Sequence, residues 1–225
     1  MLGVPCSQFR SGHAQWSSRG RYVKKHEEKY IFYFHDLRTK KNIIVAQKNM
    51  LVKLQSQIPN LKNVRPDRLP KSLQKLRRAY ADLDLGLPHG IKRLKHRADV
   101  RRLGPTDRKR VKAFLKSCSA ADRDTLDLQI KSDSSFGVFY EGNLAGLARY
   151  AKIPGSPKLA DVTVLVHKSY RGMGLGTPLV YQLVKDVLTS GLIPKYRVGT
   201  KNAASQAIAR RLGFKAQFLI LTFKK

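Results

Sequence analysis

The sequence predicts an α/β protein built on a mixed sheet with helices on both faces. Three observations carry that prediction. Residues 162–166 form a short apolar, β-branched run, followed by a glycine-rich turn and then by apolar residues at helical spacing. Residues 136–140 and 144–151 are strand-like and flank Glu141-Gly142-Asn143, which reads as a hairpin. From residue 100 onward the elements run β-α-α-β-β-β-α-β-α-β, an order that alternates sheet and helix layers.

In chain order, residues 1–28 read as a basic arm. The stretch 1–25 holds Arg10, Arg19, Arg21, Lys24, Lys25 and several serines, and no acid. That composition suits an organellar leader as well as a flexible arm, and the arm is the reading preferred. Residues 29–98 are expected to form a small basic α/β region. Strands are predicted at 30–34 and 42–46, and a helix at 47–57 stopped by Pro59. This piece has little apolar surface of its own and is expected to rest on the C-terminal part. Its aromatic run at 30–34 suits core packing better than base stacking. Leu69, Leu73, Leu76 and Tyr80 fall at helical spacing among Lys71, Lys75, Arg77 and Arg78, and a basic linker follows through residue 97.

The third part, 99–225, starts with a strand at 100–103. Pro105-Thr106-Asp107 then signals a helix start, with Thr106 or Asp107 able to cap. Ser119 can cap a second helix through Leu126. After the hairpin and the strand at 162–166 comes Arg171-Gly172-Met173-Gly174-Leu175-Gly176, and Pro178 sits in the first turn of the helix beyond, where its missing N–H costs nothing. A strand at 195–198, a helix from Asn202 to a Gly213 stop, and an apolar strand at 218–223 complete the chain.

The strand, glycine turn and helix gather free N–H groups at a positive helix end, a ready site for an anionic phosphate. Gly176 is followed by Thr177 and Pro178, so the loop is not a Walker loop. Counted from Gly172, the sixth place is Thr177, so it is not a dinucleotide fingerprint. Arg171 with Gly174 and Gly176 resembles the acyl-CoA pyrophosphate loop of the GNAT superfamily of N-acetyltransferases, Gln/Arg-x-x-Gly-x-Gly/Ala. Asn202, its helix and Leu212-Gly213-Phe214 resemble that family's next motif, one helix further on. The resemblance covers a little over half the chain.

The resemblance implies a mostly antiparallel sheet. It also implies acetyl-CoA as acyl donor, lying where two strands splay apart, and no metal. Val164, Leu165 and Val166 would pair with the pantetheine arm. Arg171, Gly172, Met173, Gly174, Leu175, Gly176 and Thr177 would hold the pyrophosphate, with Asn202 and Ser205 beside the cofactor. A primary amine on a protein, a small molecule or an aminoacyl-tRNA would attack directly in a ternary complex. Ala209 stands where many members place an acidic tyrosine. Ser205, a tyrosine such as Tyr170 or Tyr196, or water would then supply the proton, unless the domain binds coenzyme without turnover. Asp161 and His167 are candidate bases, although a histidine beside Lys168 reads more readily as a surface bystander. Asp122, Asp124 and Asp127 are expected either to receive a cationic amine or to cap and solvate a helix.

Composition speaks to partners. Lys plus Arg number 45 against 15 Asp plus Glu, a formal charge of +30. That charge suits RNA or another polyanion, so the alternative function is an RNA- or ribonucleoprotein-binding component with little or no activity. Two cysteines, Cys6 and Cys118, make a disulfide framework improbable and fit a reducing compartment. A cytoplasmic location is expected, with a mitochondrion or other organelle as the alternative. No apolar stretch approaches the roughly 18 residues that cross a bilayer.

Overall fold

In this computed structural model residues 15–18, 30–46, 48–126, 135–153 and 156–224 are described. Their strands are β1 (Gln15–Ser18), β2 (Tyr30–Asp36), β3 (Asn42–Ala46), β4 (Arg77–Gly86), β5 (Asp99–Arg102), β6 (Ser135–Tyr140), β7 (Asn143–Ile153), β8 (Ser156–Val166), β9 (Ile193–Gly199) and β10 (Lys215–Lys224). All ten join one sheet in the order β1-β3-β2-β10-β4-β9-β8-β7-β6-β5. Two neighbouring pairs, β1/β3 and β8/β9, are parallel, and the other seven are antiparallel.

The helices are α1 (Lys48–Gln57), α2 (Lys71–Gln74), α3 (Arg108–Ser117), α4 (Ala120–Leu126), α5 (Gly176–Thr189) and α6 (Ala203–Leu212). Leu179, Val180, Leu183, Val184 and Val187 of α5 are buried against one face, with Val138, Ala148, Val162 and Tyr196 of the sheet. Phe114 of α3 and Leu126 of α4 are buried against the other, with Phe139, Leu147 and Leu165. Adjacent strand residues such as Leu147 and Ala148 therefore serve opposite faces, as a pleated strand requires. At ~1.5–3 kcal/mol for each fully buried large apolar side chain, these two layers outweigh any single polar contact in the domain.

The N-terminal part closes around Asn42, whose side chain is fully buried. Its carbonyl oxygen accepts from the Tyr33 hydroxyl and His35 Nδ1, both at 2.7 Å. Its amide donates to the carbonyls of Leu61 and Val64, both at 2.9 Å. One amide thus joins β2 and β3 to the loop that leads to α2. The aromatic run at 30–34 belongs to the core here, with Ile31 and Tyr33 packed against Leu221 and Phe223 of β10.

The N-terminal part differs from the sequence reading in its elements. The helix expected through Tyr80 ends at Gln74: Leu69 and Leu73 are buried, Leu76 is only partly covered and Tyr80 is exposed, and Arg77 then begins β4. The basic linker is therefore in part a sheet strand, inserted between β9 and β10. One continuous sheet crosses the boundary expected between residues 98 and 99. Within the arm expected to be flexible, Gln15–Ser18 pairs in parallel with β3. The rest of that arm lies outside the described residues, as does Asp127.

Candidate functional site: a cleft where two strands part

Strands β8 and β9 pair in parallel only from Leu159/Ile193 to Val162/Tyr196. Both run on, β8 to Val166 and β9 to Gly199, without pairing to each other. Beyond Val162 the β8 backbone pairs with β7 on one side, and on the other its Val166 carbonyl accepts from Arg171 Nε. A cleft of about 550 Å³ opens there, floored by Val164, Leu165 and Val166 and walled by α6.

The glycine turn forms the far end of that cleft. Gly172 and Gly174 take φ of +84° and +76°, which an L side chain adopts only with strain. Alternating such residues with ordinary ones makes successive N–H groups converge into a concave, anion-seeking nest. Among the described residues, none accepts a hydrogen bond from the N–H groups of residues 172–177. Gly176 is needed for another reason: a Cβ there would lie 2.7 Å from Ile208 Cδ1, so it sets how closely α5 meets α6. Met173 points outward and Thr177 is buried.

Arg171 lines the cleft and its side chain is engaged with the protein. Its Nη2 donates to Asp122 Oδ1 at 2.7 Å and its Nε to the Val166 carbonyl at 3.0 Å. It therefore ties the loop to the end of β8 and to α4. Burial raises the Asp122 carboxyl, but hydrogen bonds from Ser119 and Arg171 outweigh that and hold it below the usual range. Asp122 is thus engaged in closing the cleft and in the Ser119 cap, where the hydroxyl accepts its N–H at 3.2 Å. Asp107 lies buried and accepts from Arg101 and from the Gly104 N–H, which holds its carboxyl far below the usual range.

Asn202 caps α6, its side-chain carbonyl accepting the Ser205 N–H at 3.1 Å. Ser205 Oγ lies 2.7 Å from the Tyr196 hydroxyl. Tyr196 is the last residue of β9 paired with β8, so this hydroxyl pair sits at the point where the two strands divide. Burial pushes the Tyr196 phenol up to about 12, against the pull of Ser205. The phenol is therefore a proton donor, not an anion, at neutral pH. Ala209 is fully buried and offers nothing to the cleft.

A second cavity, about 390 Å³, meets the first at Val164, Asn202 and Ser205. Asp161 and Asp82 line it with Tyr80 and Arg197. Burial pushes the Asp161 carboxyl up to about 6, with Arg197 and Lys195 opposing and Asp84 adding. Burial also raises Asp82, again against Arg197. Asp84 itself is ion-paired with Lys195.

The structure thus brings together Asp161, Ser205, Asn202, the β8 segment and the glycine loop. It does not bring in His167. That ring accepts the Ser169 N–H through Nδ1 at 3.3 Å, faces the Ser117 carbonyl at 3.3 Å and packs on Phe114. It braces α3 against the loop, outside both cavities. Asp82 and Tyr80 were not singled out from sequence. The alternation Asp82-Leu83-Asp84-Leu85 was the available signal, masked by the basic run before it.

The family model for "Acetyltransferase (GNAT) family" matches residues 107–214. Among solved structures, a GNAT-family protein from Novosphingobium aromaticivorans aligns with a TM-score of 0.51 at 22% identity, over 67% of each chain. A GNAT-family acetyltransferase from Colwellia psychrerythraea gives 0.56 at 19%, over 66% of this chain and 57% of that one. A GCN5-related N-acetyltransferase from Sphaerobacter thermophilus gives 0.54 at 12%, over 87% and 59%. This chain thus spans less than two thirds of the last two, and at these identities the likeness is one of fold. With the loop and the parted strands in the matched segment, residues 107–214 form a domain of the GNAT superfamily of acetyltransferases.

Proposed function

We propose that the protein transfers an acetyl group from acetyl-CoA to a primary amine, directly and in a ternary complex. The observation that carries this reading is the junction of two cavities at the parting of β8 and β9, one ending in the glycine nest and the other in Asp161. The residues fit the coenzyme. The N–H groups of residues 172–177, from which no described residue accepts, suit a diphosphate, and the part of the β8 edge from Val164 to the Val166 N–H that β9 leaves unpaired suits an amide-bearing arm. Bound acetyl-CoA supplies a thioester carbonyl open to attack by an amine.

The chain's own residues then have separate tasks. The nest and the α5 N-terminus neutralise diphosphate charge. Asp161, half-buried at the amine side, is mostly ionised at pH 7 and takes the amine's proton. The Tyr196–Ser205 pair holds a proton at the thiol side, taking the place of the tyrosine that Ala209 lacks. Alignment across the junction carries much of the acceleration, since well-oriented groups contribute ~7–11 kcal/mol. Calorimetric titration with acetyl-CoA tests the first half, and thiol release in the presence of simple amines tests the second. No binding at millimolar coenzyme would remove the reading.

The alternative, an RNA- or ribonucleoprotein-binding component, draws on the +30 charge. Exposed Arg77, Arg78, Lys92, Arg93, Lys95 and Arg97 support it. Coenzyme binding with no thiol release would favour it, whereas turnover together with RNA binding would make the same surface a means of delivery to an RNA-bound substrate.

A further inference from the structure

Strand β4 is paired unequally on its two sides. Against β10 it is bonded along its whole length, from Arg77/Lys224 to Gly86/Lys215. Against β9 it is bonded only from Asp82/Gly199 to Leu85/Tyr196. A final bond runs from the Thr200 N–H to the Ala81 carbonyl at 2.9 Å, and the chain then turns away into α6. Among the described residues, no strand covers that side of residues 77–80. An open strand edge presents both donors and acceptors, and it is an invitation to another extended chain.

This edge is continuous with the amine side of the proposed site. A groove of about 660 Å³ runs along it, lined by Arg78, Tyr80, Asp82, Gly199 and Lys201. Tyr80, Asp82, Gly199 and Asn202 also line the cavity that holds Asp161. Tyr80 is 60% exposed, a large aromatic side chain on the groove wall with no cover. The flanking side chains Arg77, Arg78 and Lys201 are exposed cations.

We infer that the acceptor is the N-terminus of an extended peptide, which docks by adding a strand to the open edge of β4 at residues 77–80. The inference rests on the acyl-transfer reading. The geometry sets the direction. A peptide whose amine reaches Asp161 starts beside Gly199 and runs onward in the line of β9, antiparallel to β4, the better-bonded arrangement. The cations favour acidic side chains in the residues after the first. A nucleic-acid backbone offers acceptors without the alternating amide donors that the edge can accept, so an aminoacylated RNA end matches it less well.

The test uses the full chain, acetyl-CoA and thiol release, with three kinds of acceptor. These are alanine amide, the free hexapeptide Ala-Val-Glu-Val-Glu-Val amide, and two N-methylated versions of it, one blocked at its second and fourth amides, the other at its third and fifth. The hexapeptide should have a KM at least about tenfold below that of alanine amide. One blocked register should lose about tenfold in KM, as expected for one or two lost backbone bonds, while the other stays within about threefold, because strand addition uses alternate amides. Arg78→Glu should raise the KM for this acidic peptide and lower it for one with lysines at the glutamate places. Equal KM for alanine amide and the hexapeptide, equal sensitivity of both registers, or better turnover of an alanyl ester of the trinucleotide CCA would each overturn the docking. Failure of every amine, with acetyl-CoA unbound in a parallel titration, would instead remove the acyl-transfer reading beneath it.

Discussion

Asp161→Asn should move two measurements in opposite directions. The Asp161 carboxyl is raised from 3.8 to about 6 in the folded chain, mainly by burial. As the base it must be ionised, so kcat/KM should climb with pH and level off above an apparent pKa near 6. Asp161→Asn should abolish that limb and lower the plateau by ~10²–10⁴-fold, the range for a positioned general base. Stability should respond in the other sense. A carboxyl raised on folding holds its proton more tightly in the folded state, so stability is greatest in acid. It falls as pH rises from about 4 through about 6. Above that, the buried charge costs up to ~3 kcal/mol, less what solvent screening removes from a half-buried group. Asp161→Asn should therefore melt a few degrees higher than the parent at pH 8 and no higher at pH 4. The assays are thiol release from pH 5 to 9 and thermal unfolding at both pH values. A variant that keeps its limb near 6, or that melts lower at pH 8, would refute the assignment.

The other predictions concern the loop, the acid, the N-terminal core and the charge. Gly174→Val puts a β-branched side chain at φ +76°, so ~1–3 kcal/mol of backbone strain should cut acetyl-CoA affinity in calorimetry with little change in the circular-dichroism spectrum. Tyr196→Phe leaves Ser205 Oγ without its 2.7 Å partner and should lower kcat by about 10–100-fold while leaving acetyl-CoA affinity within about twofold. Asn42→Ala removes the partner of the Leu61 carbonyl and of His35 Nδ1 and leaves the Tyr33 hydroxyl only its 3.3 Å bond to the Val64 carbonyl, and should cost ~2–4 kcal/mol in denaturant unfolding. If the basic surface engages RNA, log K against log salt should slope downward by about 0.7 for each phosphate neutralised on a single strand, and a flat line would exclude that use.

What was legible in the sequence was local. The glycines at 172, 174 and 176, the apolar stripe of α5 and the Asn202-to-Gly213 helix declare themselves within a dozen residues, and the Asn202 cap and the left-handed Gly213 are as expected. The splay at Val162/Tyr196 was reached through family likeness alone, because no residue marks where a parallel pair stops bonding. Strand β4 was hidden. Leu69, Leu73, Leu76 and Tyr80 imitate a helix, and the alternation begins only at Asp82. Its place in the sheet depends on partners more than 100 residues away, which no window of sequence displays. His167 stood out only as a histidine just past the end of a strand, and nothing local shows that both of its nitrogens face backbone groups.

The position of β4 also decides how the protein can be divided. Cutting ahead of Asp99 would strip a lining from between β9 and β10 and bare a long hydrogen-bonding edge on each. Such edges recruit one another, so the shortened piece should clump in solution even though it keeps the whole glycine loop. The basic half is then a structural member of the domain, and supplying residues 1–98 as a separate polypeptide should restore solubility to the remainder.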